Sequence, residues 1–338
     1  MRYGKNYAGN ADGMILNLFY EDKEDRWLPW DRHIRSVIRR LLFGKPRPSG
    51  QVRVFLNLCA GLDKLGIGYR VNDYNYIQKH PDELACIIGR SFVLDKIQWR
   101  NPILLGVAAY NHPLDDPNLL NRLPVKAVLV PGEWCAEMFR QYWPDTEVWP
   151  VGIDTDTWVP PREQEKTVDV LLYDKIHWDR DQFVPELLEP IRSQLRKEGR
   201  SFSEIRYGNY QEEDYQAALS RCRTMIFLCQ SESQGIAYQQ ALSCGVPVFA
   251  WDPGGSWKDP DYFPHKVRYE PVSSVPYWDD RCGMKFVDIA TFNAGWQKFW
   301  AQSEAGGFKP RAYVLDGLTL ERQARQYYEI AQGVIQHQ

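Results

Sequence analysis

The chain has 338 residues, with 41 Lys and Arg against 44 Asp and Glu, a formal net charge of -3 and a sequence pI of about 6.1. This balance argues against a general nucleic-acid-binding protein, whose binding surface needs an excess of basic residues. The length predicts two domains, and a hydrophobic content of 44% is enough for two ordinary cores. The sequence contains no apolar run as long as a membrane span, and its first residues lack the apolar centre of a signal peptide.

Seven cysteines are scattered along the chain without close pairs, and most of them lie inside apolar runs. An odd number of isolated thiols is typical of buried cysteines in a reducing cytosol, and it disfavours a disulfide framework or a zinc site. We therefore expect buried free thiols, a cytoplasmic protein and no bound metal.

Strands and helices alternate in the N-terminal half, which is typical of a parallel α/β sheet. The predicted strands are 13–20, 84–89, 102–110 and 125–130, and the predicted helices are 31–43, 54–65 and 134–143. Helix 31–43 has apolar residues along one face and four arginines on or near the other. Such a helix suits an anionic membrane surface and predicts peripheral contact with the inner membrane face. The alternative is a helix docked on its own sheet with a solvated basic face.

Two loops of this half carry residues of interest. Gly50 lies in a loop over 48–53 that leads into helix 54–65, and His112 directly follows strand 102–110. The carboxyl end of a parallel strand is where α/β folds bind ligands, so His112 is the leading site candidate of this half. The alternative is a structural loop histidine.

The C-terminal half repeats the alternation. Strands are predicted over 168–173, 225–229 and 246–250, with a short strand closing at 206–208, and helices over 183–198, 212–220, 236–243, 292–301 and 320–336. We expect domains over 1–150 and 151–315, with the last segment, 316–338, forming a helix that packs back on the first domain.

The stretch from Met225 to Gly255 organises this half. A buried strand leads into a polar loop over 230–235 that holds Glu232, and helix 236–243 follows. The first amides of a helix have no partner inside it and carry partial positive charge, so Gln234, Gly235 and Ile236 form a predicted anion site. Glu232 and Gln240 are eight residues apart, about 12 Å along a helix axis. That separation fits the two sugar rings on either side of a pyrophosphate.

Lys175 and Arg180 follow strand 168–173 and are five residues apart. Either cation can neutralise a phosphate, Arg as a bidentate donor and Lys as a point charge. The alternative is a solvated loop of Asp, Lys and Arg.

The stretch 225–255 resembles the signature of retaining GT-B-fold glycosyltransferases, which is Glu, seven residues and Glu, followed by small-Cys-Gly-x-Pro and Gly-Gly. Glu232, the run 243–247 and the pair 254–255 match, whereas Gln240 stands where the second Glu is usual. Gly50, His112 and the pair Lys175 with Arg180 also have counterparts in the family, the two cations with their types exchanged.

The resemblance implies an α/β protein with the GT-B fold, two Rossmann-like domains facing across a cleft. It implies a retaining, metal-independent transfer of a sugar from a nucleotide-diphosphate sugar to a hydroxyl of a glycan, lipid-linked or small-molecule acceptor, without a cofactor. Lys175 and Arg180 would hold the diphosphate, Glu232 the sugar hydroxyls and Gln240 the ribose.

His112 would contact the sugar from the opposite domain, and Gly50 would leave room at the cleft. Asp154-Thr155-Asp156 mimics a metal motif of the other major glycosyltransferase fold, but it lies in the turn of the interdomain linker. Two alternatives stay open, a nucleotide-sugar epimerase with the same fold and a non-catalytic protein that binds sugars or nucleotides.

Overall fold

The computed structural model describes residues 13–21, 50–162 and 166–336. The predicted basic helix 31–43 lies outside these residues, so membrane contact stays a prediction. The chain forms two compact units, one from the residues up to Gly152 together with those from Leu320 on, and one from Ile153–Thr319. None of the helices in the described ranges is long and apolar enough to cross a membrane.

The strands of the described residues, in chain order, are β1 Leu16–Phe19, β2 Tyr69–Val71, β3 Ala85–Ile87, β4 Ile103–Leu105, β5 Val125–Val130, β6 Thr146–Val148, β7 Val168–Lys175, β8 Phe202–Arg206, β9 Cys222–Cys229, β10 Val248–Trp251 and β11 Gly283–Phe286. The helices are α1 Gly50–Leu65, α2 Tyr74–Lys79, α3 Leu119–Arg122, α4 Glu133–Arg140, α5 Arg180–Phe183, α6 Glu189–Lys197, α7 Glu212–Arg221, α8 Ile236–Ser243, α9 Ile289–Glu304, α10 Pro310–Gly317 and α11 Leu320–Gln336. A π-helical turn, Val184–Leu188, joins α5 to α6.

The second unit is built on a parallel sheet of five strands in the order β8-β7-β9-β10-β11. Successive residues of β7 face opposite sides, and both sides are buried. Leu171 and Tyr173 pack into one core with α7, α8 and α10, while Val170 and Leu172 pack into another with α6 and α9. Burial on both faces explains why the strands of this unit are near-continuous apolar runs.

The first unit has a parallel sheet of six strands in the order β2-β1-β3-β4-β5-β6. The C-terminal helix α11 packs against α1. Gly61 of α1 allows the close approach, because a Cβ there would lie 2.4 Å from the carbonyl oxygen of Leu320 and 2.7 Å from Cβ of Ala324. The indole of Trp149 donates a hydrogen bond to the carbonyl of Gln323 and thereby also holds α11.

Several local predictions differ from the structure. The short strand expected to close at 206–208 ends at Arg206, as β8, and the chain then turns. Gly50 begins α1 and does not lie in a loop, since the side chain of Gln51 donates to the carbonyl of Ala108 and holds the first turn. Strand 102–110 is shortened to β4, because the chain turns at 107–108, where Ala108 adopts a left-handed φ of 67°. The predicted helix 183–198 is interrupted by the π-helical turn.

Candidate functional site

The candidate site lies at the carboxyl edge of the sheet in the second unit. In the strand order of this sheet, β7 and β9 are neighbours, and the connections that follow them lead to β8 on one side and β10 on the other. Such a switch in direction leaves a crevice at the carboxyl ends of the two strands, where open α/β sheets bind ligands. Lys175 and Cys229 end these strands and are paired in register.

Lys175 and Glu232 form an ion pair at this crevice. The Nζ atom of Lys175 lies 2.5 Å from Oε1 of Glu232, and the side chains are 13% and 11% exposed. The same Nζ atom lies 4.4 Å from the ring centre of Tyr207, which follows β8. Burial alone lowers the pKa of Lys175, but the charge of Glu232, with smaller contributions from Cys229 and Tyr207, raises it above its ordinary value. Lys175 is therefore a fixed cation at neutral pH.

The loop that carries Glu232 is held from both sides. Gln230 accepts a hydrogen bond from the backbone N–H of His177 at 3.0 Å and donates one to the carbonyl of Trp178 at 2.6 Å. The backbone N–H of Glu232 donates to the carbonyl of Ser273 at 2.9 Å. The Glu232 carboxylate is thus positioned by segments that follow β7 and β10, and it does not depend on its own loop alone.

Gly235 connects this loop to α8. It has a left-handed φ of 84°, and a Cβ there would lie 2.0 Å from the ring of Tyr238. Only glycine meets both demands, so the residue fixes where the helix begins. The amides of Gly235 and Ile236 stand at the amino-terminal end of α8, where the helix dipole favours an anion.

Gln234 and Gln240 are both buried, with 4% and 8% exposure. The side chain of Gln234 donates to that of Gln239 at 3.0 Å, which in turn donates to the carbonyl of Gln234 at 3.1 Å. Gln234 therefore shapes the loop through its side chain, and a ligand contact would come from its backbone. The structure places Gln240 in the second turn of α8.

Arg180 is engaged by Asp174. Its guanidinium makes two hydrogen bonds to the carboxylate of Asp174, at 2.9 and 2.8 Å, and one to the carbonyl of Ile176 at 2.8 Å. Asp174 is 2% exposed, and it also accepts from the N–H of Ile176 at 3.1 Å. The observed role of Arg180 is to fix the loop after β7, and its contact with a phosphate stays a prediction.

His112 and Gly50 belong to the first unit. His112 is completely buried, and its Nδ1 atom accepts a hydrogen bond from the N–H of Leu114, capping the turn Pro113–Asp115. Its ring meets Tyr142 edge-on at 5.1 Å. The observed role of His112 is therefore structural, and the predicted sugar contact is untested. A Cβ on Gly50 would meet nothing within 4 Å.

Asp154 has a local role in the linker turn. Its carboxylate accepts hydrogen bonds from the N–H groups of Asp156 and Thr157 and from the Thr157 hydroxyl.

Among the residues that the structure describes, no three His, Cys, Asp or Glu side chains are grouped to hold a metal ion. All seven cysteines are free thiols, six of them buried and Cys59 half-buried, as the sequence predicts.

Three residues that shape the Lys175 environment are not predicted as site residues from the sequence: Tyr207, Gln230 and His177. Tyr207 is an exposed aromatic directly after β8, and a prediction that ended this strand at Arg206 would have identified it by that position. His177 lies edge-on to Tyr207 at 5.3 Å, and partial burial of its ring, with the charge of Lys175, lowers its pKa.

No family model matches the sequence, and no curated protein matches it significantly. Solved structures match its fold. The sucrose-phosphate synthase of Thermosynechococcus elongatus is 12% identical, with a TM-score of 0.51 over 78% of this chain and 76% of that one. WaaG, a glycosyltransferase involved in lipopolysaccharide biosynthesis, is 12% identical, with a TM-score of 0.50 over 86% of this chain and 97% of that one.

The N-terminal domain of the Candida albicans trehalose-6-phosphate phosphatase is 11% identical, with a TM-score of 0.53 over 98% of both chains. That domain comes from a protein named as a phosphatase. The structural similarity therefore shows the fold alone, and the activity has to be argued from the site residues. With two parallel-sheet α/β domains and these neighbours, the chain has the GT-B fold predicted from its sequence.

Proposed function

We propose that this protein is a glycosyltransferase that moves a sugar from a nucleotide-diphosphate sugar to a hydroxyl acceptor. The observation that carries the proposal is the convergence of Lys175, Glu232 and the amino-terminal end of α8 at the switch point of the second sheet. A cation and helix amides beside a carboxylate suit a ligand that joins a phosphate to a hydroxyl-rich ring.

In the proposed reaction, negative charge builds on the departing diphosphate. Lys175 and the amides of Gly235 and Ile236 stabilise that charge, and they do so without a metal ion. Glu232 accepts hydrogen bonds from sugar hydroxyls, while Gln240 bonds the ribose, since an amide both donates and accepts. The reaction retains the anomeric configuration, and the leaving phosphate takes the proton of the acceptor hydroxyl. Arg180 adds a second contact to the diphosphate once a phosphate oxygen replaces Asp174 as a hydrogen-bond partner of its guanidinium.

A thermal-shift panel of UDP-, GDP-, ADP-, CMP- and dTDP-sugars, together with the free diphosphates, tests the proposal. A ligand that binds the folded protein stabilises it by mass action, by about 2.7 kcal/mol at 100 times its Kd, and thereby raises its melting temperature. We expect a shift with one nucleotide series and none in Lys175→Ala, because that variant removes the cation of the site.

Lys197→Ala is the matched control, since it removes an exposed lysine from the last turn of α6 and leaves the strand ends intact. It should keep the full shift. The proposal is wrong if no member of the panel raises the melting temperature of the natural protein. Binding without transfer to any acceptor and without donor hydrolysis would instead favour a non-catalytic binding protein.

A further inference from the structure

Both cations at the switch point are already paired with carboxylates, but in different ways. Arg180 is held by two hydrogen bonds to Asp174, a residue that is 2% exposed and is fixed further by the N–H of Ile176. The Lys175 pair instead joins one amine to Oε1 of Glu232, a residue on a loop. A phosphate that reaches this edge can therefore displace Glu232 from Lys175 more readily than it can displace Asp174 from Arg180.

A phosphate at Lys175 meets Glu232 as a competitor. Two anions that share one ammonium repel each other, and the repulsion is strong because the side chains are only 13% and 11% exposed. An intact sugar nucleotide offsets this cost, since its sugar hydroxyls give the Glu232 carboxylate new hydrogen-bond donors. A free nucleoside diphosphate has no sugar, so it bears the repulsion without that compensation.

From this geometry we propose that Glu232 is a specificity-determining residue that makes the site favour an intact sugar nucleotide over a free nucleoside diphosphate. The inference rests on the proposed function and adds to it a discrimination between substrate and product. When the sugar has left, Glu232 returns to Lys175 and weakens the hold on the diphosphate. Tyr207 limits where the ammonium can go, because its ring faces Nζ at 4.4 Å.

The preference is opposite to the one that cations alone would give. A free nucleoside diphosphate has a terminal phosphate group, whose second proton leaves near pH ~6, so at neutral pH it carries about one more negative charge than the sugar nucleotide. Lys175 and helix amides without Glu232 would therefore bind the free diphosphate more tightly. If the natural protein binds the sugar nucleotide more tightly than the free diphosphate, the negative charge of Glu232 accounts for that preference.

Titration calorimetry with Glu232→Gln measures the effect. The amide keeps the size of the side chain and one acceptor oxygen, replaces the other oxygen by an NH2 donor, and removes the charge. We expect Glu232→Gln to bind the free nucleoside diphosphate roughly three- to tenfold more tightly than the natural protein does, because the competing carboxylate charge is gone. The sugar nucleotide should bind no more tightly than before, so the preference between the two ligands reverses.

Two further variants make the test specific. Glu189→Gln gives the same change in net charge on α6, where the carboxylate pairs with Arg192, and it should change neither affinity. Adding Lys175→Ala to Glu232→Gln should abolish the gain, because the gain depends on releasing that lysine.

The outcomes separate this inference from the proposed function. If the natural protein binds neither sugar nucleotides nor diphosphates, the proposed function fails. If it binds both, but Glu232→Gln binds the diphosphate equally or more weakly, the proposed function stands and the role of Glu232 is overturned. The natural protein gives an answer that needs no variant to fold, since a free diphosphate bound more tightly than its sugar nucleotide also overturns that role.

Discussion

Gly235 is the residue on which the shape of the proposed phosphate site most directly depends. Its φ of 84° turns the loop into α8, and the ring of Tyr238 occupies the space that a side chain would need. Gly245, just beyond the other end of the same helix, also has a left-handed φ, of 74°, but its nearest neighbour to an added Cβ is Pro160 at 3.6 Å. Both glycines have a left-handed backbone conformation, but only Gly235 lacks room for a Cβ atom.

Alanine at each position therefore gives a matched pair. Gly245→Ala should cost about 1–2 kcal/mol, the left-handed penalty alone. Gly235→Ala should cost more, because Tyr238 must also move, and it should abolish diphosphate binding through the displaced amides of the first turn. Denaturant unfolding measures the first quantity and calorimetry the second. Equal losses of stability in the two variants would contradict the steric role given to Tyr238.

For individual residues, the sequence predicts which side chains belong to the candidate site better than it predicts which side chains they contact. Glu232, Lys175 and Gly235 are predicted from motif and spacing, and the structure brings them together in one unit. The pairing of Lys175 with Glu232 is not predictable from spacing, because it depends on the register that sets Lys175 beside Cys229 across two strands. For His112 the structure adds a local partner that the sequence does not predict, since its ring is buried and caps the turn Pro113–Asp115, and its sugar contact stays a prediction.

At the scale of elements, the predictions that succeed are those with strong local signals. Helix α8 lies at its predicted residues 236–243, between a left-handed glycine at each end, and α11 lies at its predicted residues 320–336. The predicted start of α1 and end of β4 are wrong, and in the structure the Gln51 amide of α1 donates to the carbonyl of Ala108 in the turn that follows β4. Local propensity carries no information about such a contact.

The packing of α11 on α1 depends on Gly61. A methyl group there would overlap the carbonyl of Leu320, which belongs to the backbone and cannot rotate away. Gly61→Ala should therefore destabilise the first unit by about 1–3 kcal/mol, the usual cost of overpacking. Gly333→Ala, within α11 and with nothing within 4 Å of an added Cβ, should instead stabilise it by about 0.5–1 kcal/mol through helix propensity.

Thermal unfolding of both variants measures the difference. Because the two substitutions add the same methyl group to two helices that pack together, the sign of each effect reports on the interface. A Gly61→Ala protein as stable as the natural one would show that α1 and α11 do not pack as closely as the structure has them.

At the scale of the whole molecule, the chain runs through the first unit, then the second, and returns to the first with α11. The two ends of the second unit lie side by side, since the N–H of Ile153 donates to the carbonyl of Leu318 at 2.7 Å and Ile153 bridges Thr319. Each unit has its own parallel sheet, and Lys175, Glu232 and α8 all belong to the second. Alternating strands and helices predict this architecture.

This arrangement predicts that removal of residues 320–338 affects the two units unequally. The first unit loses the helix that covers α1 and the partner of the Trp149 indole, so its core is opened to water. The second unit keeps every element of its sheet and of the proposed donor site. We expect calorimetry of the truncated protein to show an early transition of the first unit and a later transition that a bound nucleoside diphosphate still raises. A single early transition that the nucleotide does not raise would show that the second unit depends on α11, and that the proposed site cannot be assigned to one unit alone.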